Sequence, residues 1–184
     1  NKPYKKLWEM NQTSPDITAV WVGPNAGLVL LWPYFQALFD RAGLLEKGAF
    51  VDRTAQQKAI LILAYLGMGE LKPTEPDLIF NKVLCGYPVE VPILIDFDLD
   101  QTLCDLCDGL IAAAVQHWKT IGATSVATFR ETFLVREGNL NLTEKYWQLQ
   151  VTPKAYDLLL KQLPWSISTV NLSWMERTMK VEWG

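Results

Sequence analysis

Apolar side chains recur at helical spacing over the first three quarters of the chain. Five stretches show this pattern and predict helices over residues 28–41, 52–66, 74–86, 100–118 and 124–137. The last four begin beside a side chain that can accept a hydrogen bond from the first turn: Asp52, Thr74, Asp100 or Thr102, and Thr124 or Ser125. Glycines near the ends of these stretches are typical of helix C-termini.

The pattern changes after residue 138. Residues 139–143 and 146–151 alternate apolar and polar side chains around a short polar turn, and they predict a β-hairpin. A short helix over 153–163 and two strands over 167–172 and 179–183 complete the chain. The sequence therefore predicts a compact, mainly α domain with a small C-terminal antiparallel β element, which places the fold in the α+β class.

The chain divides into an arm and a domain. Residues 1–22 are polar, contain proline and lack periodicity, so we interpret them as an N-terminal linker or arm in which Val20 and Trp21 form one short strand or a docked segment. Residues 23–184 form the predicted helical domain with its Trp-rich β segment. Because the sequence starts at Asn1 without Met or an apolar leader, we expect it to be part of a longer protein.

Composition narrows the class of partner. Hydrophobic residues make up 49% of the 184 positions and charged residues 20%, as in a globular chain with a sizeable core. The net charge is −3 and the isoelectric point about 5.2, which offers no basic surface for nucleic acid or an anionic membrane. No apolar stretch is long enough to span a bilayer. We therefore expect protein partners.

The C-terminal stretch is rich in tryptophan. A tryptophan ring is either buried or presented to a partner, and its single N–H needs an acceptor. No catalytic group accompanies these rings, so we predict a structural or binding role, with core packing of the same side chains as the alternative. The candidate partner-binding residues are Trp165, Trp174, Met175 and Trp183, with Trp32, Pro33 and Tyr34 as a second patch.

One string resembles an enzyme motif. Asp98, Asp100 and Thr102 match by letter the first motif of the haloacid-dehalogenase phosphatases, in which one Asp is the nucleophile, the other a general acid/base, and Mg²⁺ neutralises the phosphate. The rest of the chain does not fit, because the only aspartate after residue 108 is Asp157, inside a predicted amphipathic helix. An extended segment leading into a capped helix is the simpler interpretation, and the Mg²⁺-dependent phosphatase is kept as an alternative.

Four residues have the side chains of a zinc site: Cys85, Cys104, Cys107 and His117. The Cys-x-x-Cys pair falls inside a predicted helix instead of on a turn, and cysteine is a common buried apolar residue. We therefore expect core cysteines and keep a zinc-stabilised adaptor as a further alternative. His117 is the only histidine and is expected to pack or to cap carbonyls beside Trp118. We assign no metal or cofactor and do not expect an enzyme.

Several separated strings together resemble one family. They are residues 27–35, 81–88, 117–118, 133–138, 163–165, 174–175 and 181–183. The family comprises the C-terminal regions of tape measure proteins from bacterial contractile injection systems, which are phage-tail-like extracellular particles. The resemblance covers about residues 20–184. It implies a structural role, since a tape measure sets the length of the inner tube while one end holds the baseplate or spike.

The resemblance also implies where this module works. Because the chain has no long heptad segment, it corresponds to the globular terminal module without the ruler. The implied partners are baseplate, spike or inner-tube proteins, with several copies of the chain in one particle as a homo-oligomer. Assembly in the bacterial cytoplasm is implied, followed by a place within the injection particle, including after its release from the cell.

Overall fold

The computed structural model describes residues 20–183, in which a helical part is followed by a β-sheet. The described α-helices are α1 (Phe35–Arg41), α2 (Arg53–Met68), α3 (Ile79–Leu84), α4 (Gln101–His117) and α5 (Val126–Phe129). Shorter 3-10 helices span Ala26–Tyr34, Glu75–Leu78, Lys119–Ile121 and Ala155–Gln162, and α5 continues into a π-helical turn at Arg130–Leu134. The predicted helical part is thereby confirmed.

Three of the predicted caps start their helices. The Asp52 carboxylate accepts a hydrogen bond from the Ala55 N–H at 2.7 Å, and the Asp100 carboxylate accepts one from the Leu103 N–H at 2.9 Å. The Ser125 hydroxyl accepts from the Thr128 N–H at 3.1 Å. Each bond satisfies one N–H of the first turn, which has no partner within the helix.

The first predicted helix differs in kind from the others. Its first half, Ala26–Tyr34, is a 3-10 helix whose residues 26–31 are all buried, and the α-helix begins only at Phe35. Pro33 accounts for the difference, because proline lacks an N–H and its ring clashes with the carbonyl four residues earlier in an α-helix. The 3-10 helix also passes so close to the π-helical turn that a Cβ on Gly27 would overlap the Phe133 carbonyl oxygen.

A five-stranded sheet holds the strands of the C-terminal part. The strands are β1 (Val20–Trp21), β4 (Gly138–Leu142), β5 (Trp147–Val151), β6 (Thr169–Val170) and β7 (Met179–Trp183), in the order β1-β4-β5-β7-β6. A separate hairpin pairs β2 (Leu45–Glu46) with β3 (Ala49–Phe50). The α+β class is confirmed. The pairs of the large sheet are antiparallel except β5–β7, which is parallel because a long connection returns the chain before β7.

The start of the described chain belongs to this sheet. Val20 pairs with Leu140 and Trp21 with Asn139, so these two residues form a short strand, as one of the two sequence interpretations proposed. The remainder of the predicted arm, residues 1–19, lies outside the described residues, as does Gly184.

Candidate partner-binding surface

The structure distributes the seven nominated residues over three places. The three sets are Trp32, Pro33, Tyr34 and Trp165; Trp174 and Met175; and Trp183 alone. Pro33 is exposed, whereas the other six side chains are half-buried. Four of them lie in residues 163–183, which we call the tail, and each tryptophan of the tail donates its indole N–H to another part of the chain.

Two reciprocal hydrogen bonds join the tail to the 3-10 helix. Trp32 Nε1 donates to the Ser166 carbonyl oxygen at 2.9 Å, and Trp165 Nε1 donates to the Leu30 carbonyl oxygen at 2.7 Å. Because each indole has only one N–H, these bonds satisfy both rings and fix their orientation. The tail is thereby attached to the most deeply buried helical segment.

Pro33 explains why the Leu30 carbonyl is available as an acceptor. In a 3-10 helix, each carbonyl accepts from the N–H three residues later, and Pro33 has no N–H to offer. Trp165 Nε1 supplies the donor that the helix itself lacks. A proline within an apolar helical stretch here marks the attachment point of a distant side chain.

The ring of Trp165 lies at the centre of an aromatic group. Its centroid is 5.4 Å from that of Tyr34, 5.5 Å from that of His117 and 6.4 Å from that of Trp118, each pair meeting edge to face. Burial raises the pKa of Tyr34. We call the four nominated residues of this region, Trp32, Pro33, Tyr34 and Trp165, the aromatic patch.

Trp174 joins the tail to the end of α3. Its Nε1 donates at 2.8 Å to the carbonyl oxygen of Leu84, in the last turn of a helix, where carbonyls have no intrahelical partner. The ring packs against Phe39 and Phe50 at centroid distances of 5.6 and 5.3 Å. The tryptophan therefore acts as a C-terminal cap for α3 and as part of an aromatic cluster.

Gly86 permits this approach of the tail. Its φ is +67°, a conformation that side-chain-bearing residues rarely adopt, and a Cβ built on it would overlap the Trp174 carbonyl oxygen. Beside it lies a cavity of about 240 Å³, which Met175 lines. The lining also includes apolar Val83, Val89 and Trp147 and charged Glu90, Glu176 and Arg177.

Trp183 completes a buried ionic site that the sequence did not predict. Its Nε1 donates to the Asp157 carboxylate at 3.0 Å, and the same carboxylate binds both terminal nitrogens of Arg136 at 2.5 and 2.9 Å. The other guanidinium hydrogens reach the carbonyl oxygens of Thr132 and Thr152, so all five donors are used. No spacing rule could have paired Arg136 with Asp157, since they lie on separate elements.

The charge state of Asp157 follows from these contacts. Burial by itself raises the pKa of the carboxyl group, but the hydrogen bonds from Arg136, the Lys154 N–H and Trp183 outweigh it. The pKa therefore lies below its ordinary value, and the carboxylate is ionised at neutral pH. Arg136 also lies 5.2 Å from the ring centroid of Trp183, which adds a cation–π contact.

The phosphatase-like string lies on the surface in an extended segment that pairs with no strand in the described part of the chain. Asp98 is exposed and forms an ion pair with Lys72, while Asp100 is engaged as the cap of α4. Thr102 lies in the first turn of that helix. Within residues 20–183, no group of three or more His, Cys, Asp or Glu side chains could hold a metal ion. The string therefore has the geometry of a helix start.

The zinc-type residues are spread through the helical part. Cys85, Cys104 and Cys107 are buried free thiols, and burial raises the pKa of Cys85 well above its ordinary value and that of Cys107 to about 12. A raised pKa disfavours the thiolate that binds a metal. His117 is about 15 Å farther along α4 than Cys107 and belongs to the aromatic group around Trp165.

A family model for the contractile injection system tape measure protein matches residues 3–183. The chain belongs to this family. No curated protein and no solved structure shows significant similarity to it. The resemblance carried by the separated strings is confirmed. As a tape measure protein the chain is part of a contractile injection particle, and its partners are other components of that particle.

The family is a structural one and is not known for catalysis. In the part of the chain that the structure describes, no helix combines the length and the hydrophobicity needed to cross a membrane. The aromatic patch and the cavity beside Met175 are therefore the surfaces to consider for contacts with other proteins.

Proposed function

We propose that this chain is the terminal assembly module of its tape measure protein, which docks through the aromatic patch to a baseplate, spike or inner-tube protein and so helps to set tube length. The observation that supports this role is the pair of hydrogen bonds in which Trp32 donates to the Ser166 carbonyl and Trp165 donates to the Leu30 carbonyl. They hold half-exposed aromatic rings in one orientation before any partner binds. Aromatic side chains that are already ordered lose little entropy on binding and dominate protein interfaces.

The proposal also covers the number of copies and the location of the module. Several copies of the module assemble together within one particle in the bacterial cytoplasm. The module stays within the particle after the particle is released from the cell. The tail is hydrogen-bonded at three points, from Trp165 to the 3-10 helix Ala26–Tyr34, from Trp174 to the last turn of α3 and from Trp183 to Asp157, so docking on any of these rings is coupled to the folded chain.

The proposal is tested by capture of the particle proteins. The immobilised chain is incubated separately with purified baseplate, spike and inner-tube proteins, and we expect one of them to be retained. Pro33→Glu places a charge on the exposed part of the aromatic patch and should abolish retention. Gln36→Glu adds the same charge at an exposed position of α1 outside the patch and should leave retention unchanged.

Both variants must first show the thermal unfolding of the unchanged chain. Retention of none of the three proteins, or equal loss in both variants, would contradict docking by the aromatic patch. The role in tube length has its own readout, since particles assembled with Pro33→Glu should show a broader distribution of tube lengths by electron microscopy. An unchanged distribution would argue against that role.

A further inference from the structure

Residues 92–99, which we call the strap, cross the surface without belonging to any helix or strand. From Ile93 onward their side chains alternate in burial with a period of two, the pattern of an extended backbone. The half-buried side chains are Ile93, Ile95, Phe97 and Leu99, and the exposed ones are Leu94, Asp96 and Asp98. Leu94 is 84% exposed. The strap therefore has the side-chain pattern of a β-strand, but no strand among residues 20–183 pairs with it.

The backbone of the strap is unpaired along most of its length. The Ile93 N–H donates to the Glu75 carboxylate at 3.4 Å, and the Pro92 carbonyl accepts from the Tyr87 hydroxyl at 3.4 Å. Between Leu94 and Leu99, no backbone N–H or carbonyl has a hydrogen-bond partner among residues 20–183. Such a row of donors and acceptors is a template for another strand.

The direction of the Ile93 N–H tells which edge is open. In an extended chain, the N–H and carbonyl of successive residues point to opposite edges. The Ile93 N–H points toward Glu75. The backbone groups of Leu94, Asp96 and Asp98 therefore lie at the opposite edge. Two side-chain contacts attach the strap to the rest of the folded chain, which we call the body. Lys58 lies 5.2 Å from the centroid of the Phe97 ring, and Asp98 forms an ion pair with Lys72.

We propose that this open edge binds an extended, basic segment of a partner protein, which adds to the strap as a β-strand. The solvent-facing side of the strap carries Asp96 and Asp98, and exposed Asp100 follows directly. Lys72 pairs with only one of the three carboxylates. A strand that alternates lysine or arginine with apolar residues would place its cations beside these carboxylates and its apolar side chains on the body.

This surface is distinct from the aromatic patch and goes beyond the proposed function. It can therefore be tested on the isolated chain with a probe. The probe is a fluorescein-labelled eight-residue peptide that alternates lysine and valine, and binding is followed by fluorescence anisotropy at 150 mM salt. A peptide that alternates glutamate and valine is the control, and we expect it to bind at least tenfold more weakly.

The backbone edge is tested by a matched pair of variants at Leu94. Leu94→Pro removes the open-edge N–H and suits an extended chain, whereas Leu94→Ala removes the side chain and keeps the N–H. We expect at least a tenfold loss of affinity in Leu94→Pro relative to Leu94→Ala. Equal affinity in the two variants, or no binding of the lysine–valine peptide to the unchanged chain, would overturn the proposal.

A measurement on the unchanged chain covers the case in which Leu94→Pro fails to fold. Amide hydrogen exchange should slow at Leu94, Asp96 and Asp98 when the lysine–valine peptide is bound, and stay constant at Ile93. Peptide binding without this slowing would show contact by charge alone and overturn strand addition. Dimerisation of the free chain that protects the same amides would assign the edge to a second copy instead.

Discussion

The tail and the strap both cross the surface of the rest of the chain, but they satisfy their polar groups in opposite ways. The tail includes β6 and β7, whereas the strap contains no helix or strand. Each tryptophan N–H of the tail finds an acceptor on the body: the Leu30 carbonyl, the Leu84 carbonyl and the Asp157 carboxylate. The backbone of the strap from Leu94 to Leu99 finds none within residues 20–183. A position on the surface alone therefore does not distinguish a segment that stabilises the fold from one that is available to a partner.

Two of the three acceptors that the tail uses are carbonyls at irregular points of a helix. Leu30 lacks its 3-10 donor because Pro33 has no N–H, and Leu84 lies in the last turn of a helix, so each indole donates to a carbonyl that lacks this intrahelical donor. An unsatisfied buried polar group costs about 1–3 kcal/mol. Changes in the tail should therefore affect stability, whereas changes at the exposed side chains of the strap should affect only binding.

The largest expected effect is at the buried ion pair that anchors the end of the tail. Asp157→Ala leaves the Arg136 guanidinium buried without its carboxylate, and this kind of loss costs about 3–5 kcal/mol. We expect a decrease of that size in the free energy of unfolding, measured in urea. Replacing both partners, as Arg136→Met with Asp157→Leu, should recover most of it, and no recovery would contradict the charge argument.

The same site predicts a pH dependence. The pKa of Asp157 is lower in the folded chain than in the unfolded one, so its stabilisation is fully present above the unfolded pKa of about 3.9. It is lost as the pH falls below that value through the folded pKa. The melting temperature of the unchanged chain should therefore fall more steeply below pH 4 than the melting temperature of Asp157→Asn. Parallel pH profiles would contradict an ionised, paired Asp157.

A smaller effect is expected where the tail approaches α3. Gly86→Ala forces a side chain into a left-handed conformation and against the Trp174 carbonyl, and we expect a loss of about 2–4 kcal/mol. Gly43→Ala is the matched control, because its φ is +74° but nothing lies within 4 Å of the added Cβ. Equal losses in the two variants would show that the contact with the tail contributes nothing.

The helices were predictable from sequence because their signals are local. Asp52, Asp100 and Ser125 cap the helices that their positions predict, and the apolar spacing marks the buried faces. The first predicted helix was right in place but α-helical only from Phe35 onward, since Pro33 favours a 3-10 turn before it. Because proline disrupts the interior of an α-helix, this change of helix type at Pro33 could have been predicted from the sequence alone.

The contacts of the candidate residues depend on long-range geometry. The sequence could indicate that each tryptophan needs an acceptor, but not that Trp165 finds Leu30 or that Trp183 finds Asp157. The parallel β5–β7 pair likewise depends on where a long connection returns. Partner binding by the nominated residues stays a prediction.

A smaller loss of stability is expected from removing one indole hydrogen bond of the tail. Trp165→Phe keeps an aromatic ring but leaves the Leu30 carbonyl without its donor, and we expect a loss of about 1–2 kcal/mol in the free energy of unfolding. Trp21→Phe is the control, because Trp21 is 54% exposed and its indole N–H has no hydrogen bond within residues 20–183. A loss in Trp21→Phe as large as that in Trp165→Phe would mean that ring size, and not the hydrogen bond, is being measured.

The smallest effect should come from the strap. Leu94→Ala removes an exposed apolar side chain, and we expect the free energy of unfolding to change by no more than about 0.5 kcal/mol. Ile95→Ala, one position along, removes a half-buried side chain and should cost more. If Leu94→Ala proves as destabilising as Ile95→Ala, the outer face of the strap is part of the folded core, and the contrast with the tail fails. If only Ile95→Ala is destabilising, Leu94 is exposed without contributing to folding, which is what a surface kept for a partner requires.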